Sequence, residues 1–415
     1  MRTSRRTFIK NVSSAGVVSI GASAPGFLDR AALAGEGAPA LAGSEGKILV
    51  LVQLAGGNDG LNTVIPVADP EYGKLRPGVG IASGAALRID DEHALHPAMA
   101  GMKDMFDEGV LSIVQGVGYE NPNRSHFRSM DIWNSARLSG ELTRDGWLGR
   151  ALDLHRGSSS GTTPALAIGT GNLPLALVAA KTQVPVIRDI DAFKLQPGVG
   201  DRVDRQERRA ALDAHIARAA PAGSELEFLR SAAGNAFATA KKLESLTATY
   251  KPAADYPDRP LAAKLKSVAQ LITADFGTRI FFVSLGGFDT HSQQEGSHRA
   301  LLDELSGAIA AFHHDLAGHG LGERVLLATY SEFGRRAKEN GSLGTDHGTA
   351  SQMFLAGTAG KGLVGAHPSL TDLDEEGDLK HHTDFRSVYA TLLDKWLGFP
   401  SAEVLGEQFP LLELV

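Results

Sequence analysis

Acids and histidines follow short apolar runs at several places in this chain, and their chemistry suits metal binding. Three of the runs are LVLVQLA before GGND, IFFVSL before GGFDTH and VLLATY before SEFGR, and the segment GTDHG precedes a further apolar run. Carboxylate oxygens and imidazole nitrogens are the ligands that Zn, Mn, Mg or Ca select. The pattern predicts a divalent-metal site whose candidate ligands are Asp59, Asp289, His291, Glu332, Asp346 and His347.

The apolar runs explain how residues so distant in sequence can meet. Parallel strands that are buried on both faces read as continuous Val, Ile, Leu and Phe, and ligands bind beyond their carboxyl ends. Loops from several strands converge there, so the acids and histidines are expected at one rim of a sheet. The competing interpretation is ordinary turn chemistry, in which an Asp after Gly shapes a surface turn and a histidine is a satisfied polar group.

The pattern along the chain predicts an α/β fold with a mostly parallel sheet. A strand at residues 47–54, a helix at 96–108 and a strand at 111–117 form a βαβ signature. Further strands are predicted at residues 165–168, 175–178, 280–285, 325–330 and 353–356. Charged, Ala-rich segments between 194 and 276 predict a helical insertion of three helices, either a lid beside the site or a solvated flank.

Residues 1–34 are predicted to be a twin-arginine signal peptide rather than part of the fold. Arg5 and Arg6 lie in SRRTFIK and precede an apolar stretch rich in Ala, Gly and Ser that ends at Leu28. Small-residue cleavage sites follow at residues 32–34 and 40–42, and the first is preferred. We therefore expect the twin-arginine translocase as a partner, a periplasmic or secreted location, and a single main domain at 47–399.

Composition narrows the classes of function. The 415 residues are 43% hydrophobic, which supports a large core, and the net charge of -7 gives no reason to expect nucleic-acid binding. The chain has no cysteine, which excludes disulfides, thiolate ligands and a cysteine nucleophile. Any metal must therefore be held by oxygen and nitrogen. After the leader, no stretch is long and apolar enough to span a bilayer.

The segment NPNRSHF supplies a candidate nucleophile, Ser125, with Arg128 as a candidate anion-binding residue nearby. If Ser125 starts a helix, the positive end of the dipole and a metal would favour its alkoxide, whereas its alternative role is an N-cap. In YSEFGRR, Arg335 is a candidate anion clamp and Glu332 is either a ligand or a general base. The competing interpretation of these two residues is an exposed ion pair.

Taken together, the SRRTFIK leader, LAGGNDGLN, RSHF, GGFDTH, YSEFGR, GTDHG and TDFRSVYATLLDKWLG resemble the domain-of-unknown-function 1501 family. The resemblance implies membership of the alkaline phosphatase and sulfatase-like superfamily, which holds divalent metals over a doubly wound sheet and transfers phosphoryl or sulfuryl groups. It implies that Asp59 is the metal ligand after the first strand, that Ser125 is the nucleophile, and that Asp289 is the aspartate of an Asp-x-x-x-His motif.

Two positions depart from that superfamily pattern. Gln293 stands where the histidine of the motif belongs, and His291 is the nearest histidine. Alignment by strand order puts Phe333 in place of the histidine of an Asp-His pair and makes His347 the later histidine, whereas alignment by letters would use DHG and then His367. We prefer strand order because strand ends decide which residues reach the rim. Two intact metal sites are therefore not expected.

The sequence thus predicts an exported, divalent-metal-dependent hydrolase of phosphate or sulfate esters, with a small anionic ester or a glycan as substrate. The alternative is a non-catalytic cell-envelope binding protein on a degenerate form of the same fold. Metal content and ester turnover would distinguish the two.

Overall fold

The structure is a computed structural model that describes residues 46–138, 143–154, 163–188, 250–357 and 362–414, with a few isolated positions besides. The predicted leader and nearly all of the predicted insertion before residue 250 lie outside these ranges. The residues of Ala38–Arg188 and Tyr250–Val415 that the structure describes belong to one compact unit, which holds the sheet and the candidate site.

This unit is built around a large mixed sheet. The strands of the unit within the described ranges are β1 (Ile48–Ala55), β2 (Val64–Ile65), β3 (Leu87–Arg88), β4 (Ala94–Leu95), β5 (Leu111–Gly118), β6 (Ala165–Ile168), β7 (Val186–Ile187), β8 (Ile280–Gly286), β9 (Val325–Tyr330), β10 (Ser351–Ala356), β11 (Gly362–Val364) and β12 (Thr383–Asp384). Nine of them form one sheet in the order β11-β5-β10-β9-β1-β8-β6-β7, with β12 paired to β5. All neighbours in it are parallel except β10, which is antiparallel to β5 and β9. The predicted α/β fold with a mostly parallel sheet is confirmed.

The helices connect these strands. Within the described ranges they are α1 (Gly60–Thr63), α2 (Pro70–Leu75), α3 (Ala100–Asp107), α4 (His126–Ser135), α5 (Trp147–Leu154), α6 (Pro260–Thr273), α7 (Gln294–Gly318), α8 (Phe385–Thr391) and α9 (Ser401–Leu405). The last of the three helices predicted between 194 and 276 corresponds to α6, and the other two fall almost wholly outside the described residues. None of the helices that the structure describes is long and apolar enough to cross a membrane.

Helices cover both faces of the sheet, which explains why β1 is buried along nearly its whole length. Alternate residues of a strand point to opposite faces. On one face, Leu49 and Leu51 join a core that includes Trp147 of α5 and Tyr389 of α8. On the other face, Leu327 of β9 lies beside α7. The continuous apolar runs of the sequence are therefore those of a doubly wound sheet.

One predicted strand is wrong. The segment at 175–178 forms a 3-10 helix, Leu175–Leu177, whose hydrogen bonds are local. The backbone oxygen of Val178 accepts from Gly146 N at 2.9 Å, immediately before α5, so packing against α5 replaces pairing with a strand. A short apolar run does not distinguish these two outcomes by itself.

The topology delivers the predicted ligand-bearing segments to one edge of the sheet. Strands β8 and β9 flank β1 and run parallel to it, so all three end at the same rim. Since β10 is antiparallel, the segment that leads into Ser351 arrives at that rim as well. Strand β5 shares the direction of β9, because both are antiparallel to β10, and the loop after β5 leads into α4.

Candidate metal centre

Asp289 lies among three imidazole rings at this rim. Its Oδ1 atom is 3.0 Å from His291 Nε2, 3.1 Å from His347 Nε2 and 3.4 Å from His126 Nε2. One ligand atom from each of His126, Asp289 and His347 lies within 4.8 Å of the others. The Nε2 atoms of His291 and His347 are 2.9 Å apart. The structure therefore brings the first residue of α4, a histidine of the loop after β8 and a histidine of the loop before β10 onto one carboxylate oxygen.

The His126 ring is oriented by Glu332. His126 Nδ1 is 2.8 Å from Glu332 Oε1, and because this oxygen also accepts from the backbone N–H of Gly56, we assign the proton to Nδ1. His126 Nε2 is then a lone-pair nitrogen, and it is buried without a hydrogen-bond partner. Glu332 is 1% exposed, and its Oε1 also accepts from Gly56 N at 2.8 Å. A buried carboxylate behind an imidazole is the arrangement that orients metal-binding histidines.

The other two rings are held in the same sense. His347 Nδ1 is 2.8 Å from the backbone oxygen of Arg124, and His291 Nδ1 is 3.1 Å from Asp346 Oδ1. Both acceptors place the proton on Nδ1 and leave Nε2 directed at Asp289. Two lone pairs 2.9 Å apart repel each other unless a proton or a cation neutralises them. Asp346 therefore orients the ring of His291, as Glu332 orients the ring of His126.

The donor set fits a divalent ion held by nitrogen and oxygen. Ligand atoms about 2.0 to 2.1 Å from a tetrahedral zinc ion lie about 3.3 Å from one another. Asp289 Oδ1 lies 3.0 to 3.4 Å from the three Nε2 atoms, which matches that spacing. The unpartnered nitrogen of His126 is a second sign, because buried polar atoms normally have a partner. His126, Asp289 and His347 would hold the ion, with His291 beside them.

Arg335 is packed into the loops around the cluster that Asp289 forms with His126, His291 and His347. Its side chain is fully buried, and Nη2 is 2.8 Å from Asp289 Oδ1. Within 2.9 Å it also donates to the backbone oxygens of Gly57, Thr345 and Phe288. Partial burial raises the pKa of Asp289, but the hydrogen bond and the positive charge of Arg335 outweigh it and lower that pKa to about 2. Arg335, which was predicted to be an anion clamp, thus donates its N–H groups to atoms of the protein and keeps Asp289 ionised.

Gly56 and Gly57 let three loops approach one another. Gly56 has a φ of +120°, and a Cβ there would lie 2.4 Å from the backbone nitrogen of Asp289. Gly57 has a φ of +78°, and a Cβ there would lie 2.4 Å from Cε2 of Phe333. The GGND turn therefore needs its glycines for contact with the loops after β8 and β9.

The two positions that depart from the superfamily pattern differ in their surroundings. Phe333 is buried, and its ring centroid lies 4.6 Å from that of His347 and 4.9 Å from that of His126. Gln293 is exposed, has a left-handed φ of 44° and precedes the first residue of α7. Phe333 therefore forms an apolar wall beside the rings of His126 and His347.

Asp59 is engaged elsewhere, in a buried ion pair with Arg76. Both side chains are 0% exposed, and the Nη1 to Oδ2 and Nη2 to Oδ1 distances are 2.6 and 3.0 Å. Gln294 Nε2 donates to the same Oδ2 at 2.6 Å. Burial raises the pKa of Asp59, but its interactions with Arg76 outweigh this and lower that pKa to about 2. The structure differs here from the predicted ligand set, because donors of the protein already engage both carboxylate oxygens.

Ser125 lies directly before His126, at the N-cap position of α4. Its side chain makes no capping hydrogen bond, and the residue is exposed. Arg128 is in the first turn of the same helix and is partly exposed. His367 belongs to other surroundings, since its Nδ1 is 2.9 Å from the backbone oxygen of Pro368 and burial lowers its pKa to about 4. Ser125 and Arg128 thus start the helix that presents His126, and His367 does not join the cluster.

Two residues of this region were missed as functional residues by the sequence analysis. His126 was visible only as a neighbour of Ser125, although a histidine that opens a helix after a rim strand is a usable signal. Arg76 follows α2 in the segment PEYGKLRPG, and nothing in its spacing indicates a partner 17 residues away.

A family model described as "Protein of unknown function (DUF1501)" matches residues 46–405. No curated protein sequence matches the chain.

Among solved structures, Ps i-CgsB in complex with k-i-k-neocarrahexaose is 8% identical, with 88% of this chain and 73% of that chain covered and a TM-score of 0.38. A protein in the alkaline phosphatase superfamily from Vibrio parahaemolyticus is 9% identical, with 98% and 78% covered and a TM-score of 0.37. The lipoteichoic acid synthase LtaP from Listeria monocytogenes is 9% identical, with 86% and 73% covered and a TM-score of 0.36.

Proposed function

We propose that this chain, which belongs to the family of proteins of unknown function DUF1501, is a divalent-metal-dependent hydrolase of phosphate or sulfate esters. The observation that carries the proposal is the convergence of His126, His291 and His347 Nε2 on Asp289 Oδ1, at 3.0 to 3.4 Å. Each ring has an acceptor at Nδ1, so each presents a lone pair to the same point.

Ser125 is the proposed nucleophile. It is exposed and lies one residue before His126, at the start of a ten-residue helix whose dipole favours an oxyanion there. A divalent ion at the cluster would polarise the ester oxygen and lower the pKa of the attacking hydroxyl. Arg128, in the first turn of the same helix, is assigned to the charge that develops on the phosphate or sulfate group.

The remaining predicted site residues have supporting roles in this proposal. Glu332 orients His126, and Asp346 orients His291, so these two acids act behind the ligands. Arg335 fixes the loops around the cluster through its contacts with backbone oxygens. The ligand set is therefore smaller than the six residues predicted from sequence, and the acids gain a different function.

Export through the twin-arginine route belongs to the proposal. Arg5 and Arg6 in SRRTFIK supply the recognition motif for the translocase. We expect the mature chain to act in the periplasm or outside the cell, after folding and metal loading in the cytoplasm. Replacing both arginines by lysine should retain the protein in the cytoplasmic fraction, and normal export of that variant would contradict this route.

The alternative function is that of a non-catalytic cell-envelope protein that binds a glycan or another small ligand. Two observations favour it. Phe333 packs against His126 and His347 where the superfamily pattern has a ligand. The guanidinium of Arg335 donates its hydrogen bonds to oxygens of the protein. In this alternative the metal is structural, and no ester is turned over.

Metal content, followed by ester turnover, separates the hydrolase from the binding protein. We expect the purified mature protein to bind Zn²⁺ or Co²⁺ and to cleave aryl phosphates or sulfates. Ser125→Ala should keep the metal and lose at least about 1,000-fold in turnover. Ser267→Ala is the control, because Ser267 is a partly exposed serine of α6 that donates to Ala263 O at 3.0 Å.

Absence of bound metal would overturn the hydrolase proposal and its ligand set together. Metal binding without turnover of any ester would support the binding protein. Turnover that survives Ser125→Ala would move the nucleophile to another residue.

A further inference from the structure

The guanidinium of Arg76 is enclosed by oxygen atoms of the protein. Nε donates to Ala337 O at 2.7 Å, Nη1 to Asp59 Oδ2 at 2.6 Å and Asn62 Oδ1 at 3.2 Å, and Nη2 to Asp59 Oδ1 at 3.0 Å and Arg336 O at 2.7 Å. A guanidinium has five N–H groups, so every donor is used. The side chain is 0% exposed, and the charge of Arg76 is therefore permanently inside the protein.

The oxygens around Arg76 come from the segments that carry the metal cluster. Asp59 follows β1, and the carbonyls of residues 336 and 337 directly follow Arg335 after β9. Gln294, three residues after His291, donates to Asp59 Oδ2 at 2.6 Å and accepts from Thr345 Oγ1 at 2.8 Å. Thr345 in turn lies two residues before His347, so one buried network joins the loop after β1, the loop after β8 and the loop between β9 and β10.

We propose that Arg76 is a built-in cation, which neutralises Asp59 and positions the loops of the cluster, so that the centre takes one divalent ion rather than two. The proposal deepens the proposed function and uses metal binding there as one of its readouts. Arg76 is a positioning residue, since none of its contacts is with Asp289 or with the three histidines.

The chemistry of the enclosing atoms supports this assignment. A carboxylate, an amide oxygen and two backbone carbonyls are the kind of set that binds a hard cation such as Ca²⁺. A buried carboxylate without a cation is strongly unfavourable, so this set requires a positive charge from some source. An arginine supplies it covalently, which keeps the loops in place when the protein holds no metal.

The test compares Arg76→Ala with Arg150→Ala in the mature protein. Arg150 is a matched control, because its side chain is 11% exposed, pairs with Asp145 at 2.9 Å and donates to Ser135 O and Val404 O at 2.6 Å. Both variants lose a largely buried arginine, but the hydrogen bonds of Arg150 reach Asp145, Val404 and the C-terminal end of α4, at the opposite end of that helix from His126. Co²⁺ affinity is measured by absorption titration and stability by thermal unfolding.

We expect Arg76→Ala to weaken Co²⁺ binding by about tenfold, the lower end of the range for a lost direct partner of a ligand, because Arg76 acts through the loops. Arg150→Ala should change the affinity by less than about threefold. The cavity left by Arg76→Ala keeps its ring of oxygens. Guanidinium ion at low millimolar concentration, or Ca²⁺, should therefore restore both the unfolding midpoint and the Co²⁺ affinity of Arg76→Ala. Tetramethylammonium at the same ionic strength should not restore either.

Several results would overturn the built-in cation. These are unchanged Co²⁺ affinity in Arg76→Ala, a loss no larger than in Arg150→Ala, or no recovery with guanidinium and Ca²⁺. A wild-type protein that binds two equivalents of Co²⁺ and loses one in Asp59→Asn would also contradict it. If Arg76→Ala does not fold, Arg76→Lys keeps the charge with fewer donors and should show a smaller loss that guanidinium does not correct.

Failure of the proposed function would look different. A wild-type protein that binds no Co²⁺ would remove the metal centre, yet recovery of the unfolding midpoint of Arg76→Ala by guanidinium would still establish the cation site. Lack of that recovery would reject it.

Discussion

Asp59 and Asp289 follow neighbouring parallel strands in the same sequence context, Gly-Gly-x-Asp, and have opposite surroundings. The side chain of Asp59 is 0% exposed and faces Arg76, whereas that of Asp289 is 47% exposed and faces three imidazole rings. Sequence alone assigned both to the metal. The structure pairs Asp59 with an internal cation and places Asp289 in the proposed metal centre.

The difference lies in what each neighbouring arginine contacts. Arg76 meets both oxygens of Asp59, which completes the neutralisation of that carboxylate inside the protein. Arg335 reaches Asp289 through Nη2 and directs its other N–H groups to backbone oxygens. An aspartate becomes a candidate ligand when its arginine is only partly available to it and lone-pair nitrogens surround it.

The largest expected effect is that of Asp289→Asn, which should abolish Co²⁺ binding. The amide lacks the negative charge that the carboxylate supplies to an ion held otherwise by neutral imidazoles, and amide oxygens are weaker ligands for such ions. Asp59→Asn should keep the stoichiometry of the wild type. Titration of both variants with Co²⁺ measures the contrast, and equal losses in the two would erase the distinction between the aspartates.

Arg76→Met should lower the free energy of unfolding by about 3 to 5 kcal/mol, because it leaves the buried carboxylate of Asp59 without a cation. Adding Asp59→Asn to Arg76→Met should recover part of that loss, since the unpaired charge disappears. Urea denaturation of the two single variants and the double variant gives the coupling energy. A double variant as unstable as the sum of the singles would show that the ion pair is not what stabilises this region.

Stability should fall in mildly acidic solution because of His298, which borders the Asp59 network. Its Nε2 is 3.1 Å from Asn58 Oδ1, and burial lowers its pKa from 6.5 to about 4. Between those pH values the unfolded chain binds more protons at this residue than the folded chain does, so the free energy of unfolding decreases as the pH falls from about 6.5 to 4, by about 3 kcal/mol. Urea denaturation across this range measures the slope.

His298→Gln is the control for this pH effect, because glutamine can keep a hydrogen bond to Asn58 and has no charge to gain. The slope between pH 6.5 and 4 should become shallower in that variant. An unchanged slope would assign the pH dependence to other groups, such as His96, whose pKa burial also lowers to about 4.

The smallest expected effects concern the acids behind the histidines. Glu332→Gln should weaken Co²⁺ binding by about 10- to 100-fold, because the amide orients and polarises His126 less well than the carboxylate does. Asp346→Asn should lose less, since the side chain of Asp346 is 51% exposed and its bond to His291 is longer, at 3.1 Å. Isothermal titration ranks the two variants, and the reverse order would make Asp346 the more important of the two.

Much of the cluster could be predicted because it depends on strand ends. Buried parallel strands leave an unmistakable apolar pattern, and their carboxyl ends share one rim, so Asp289, His291 and His347 were found from the sequence. The strand predicted at 175–178 was wrong because packing against α5 competes with strand pairing for a short apolar segment.

By itself, the sequence determined the class of fold and the rim at which acids and histidines gather, because apolar periodicity and glycine-rich turns encode these locally. The family followed from the resemblance of whole motifs and from the family model that matches residues 46–405. Only the tertiary structure decided which oxygen receives which donor. It paired Asp59 with Arg76 across 17 residues and placed His126 in front of Glu332 across 206 residues. The physical reason is that local patterns fix where a strand ends, whereas the partner of a buried charge depends on the loops that pack around it, and the sequence does not list those contacts.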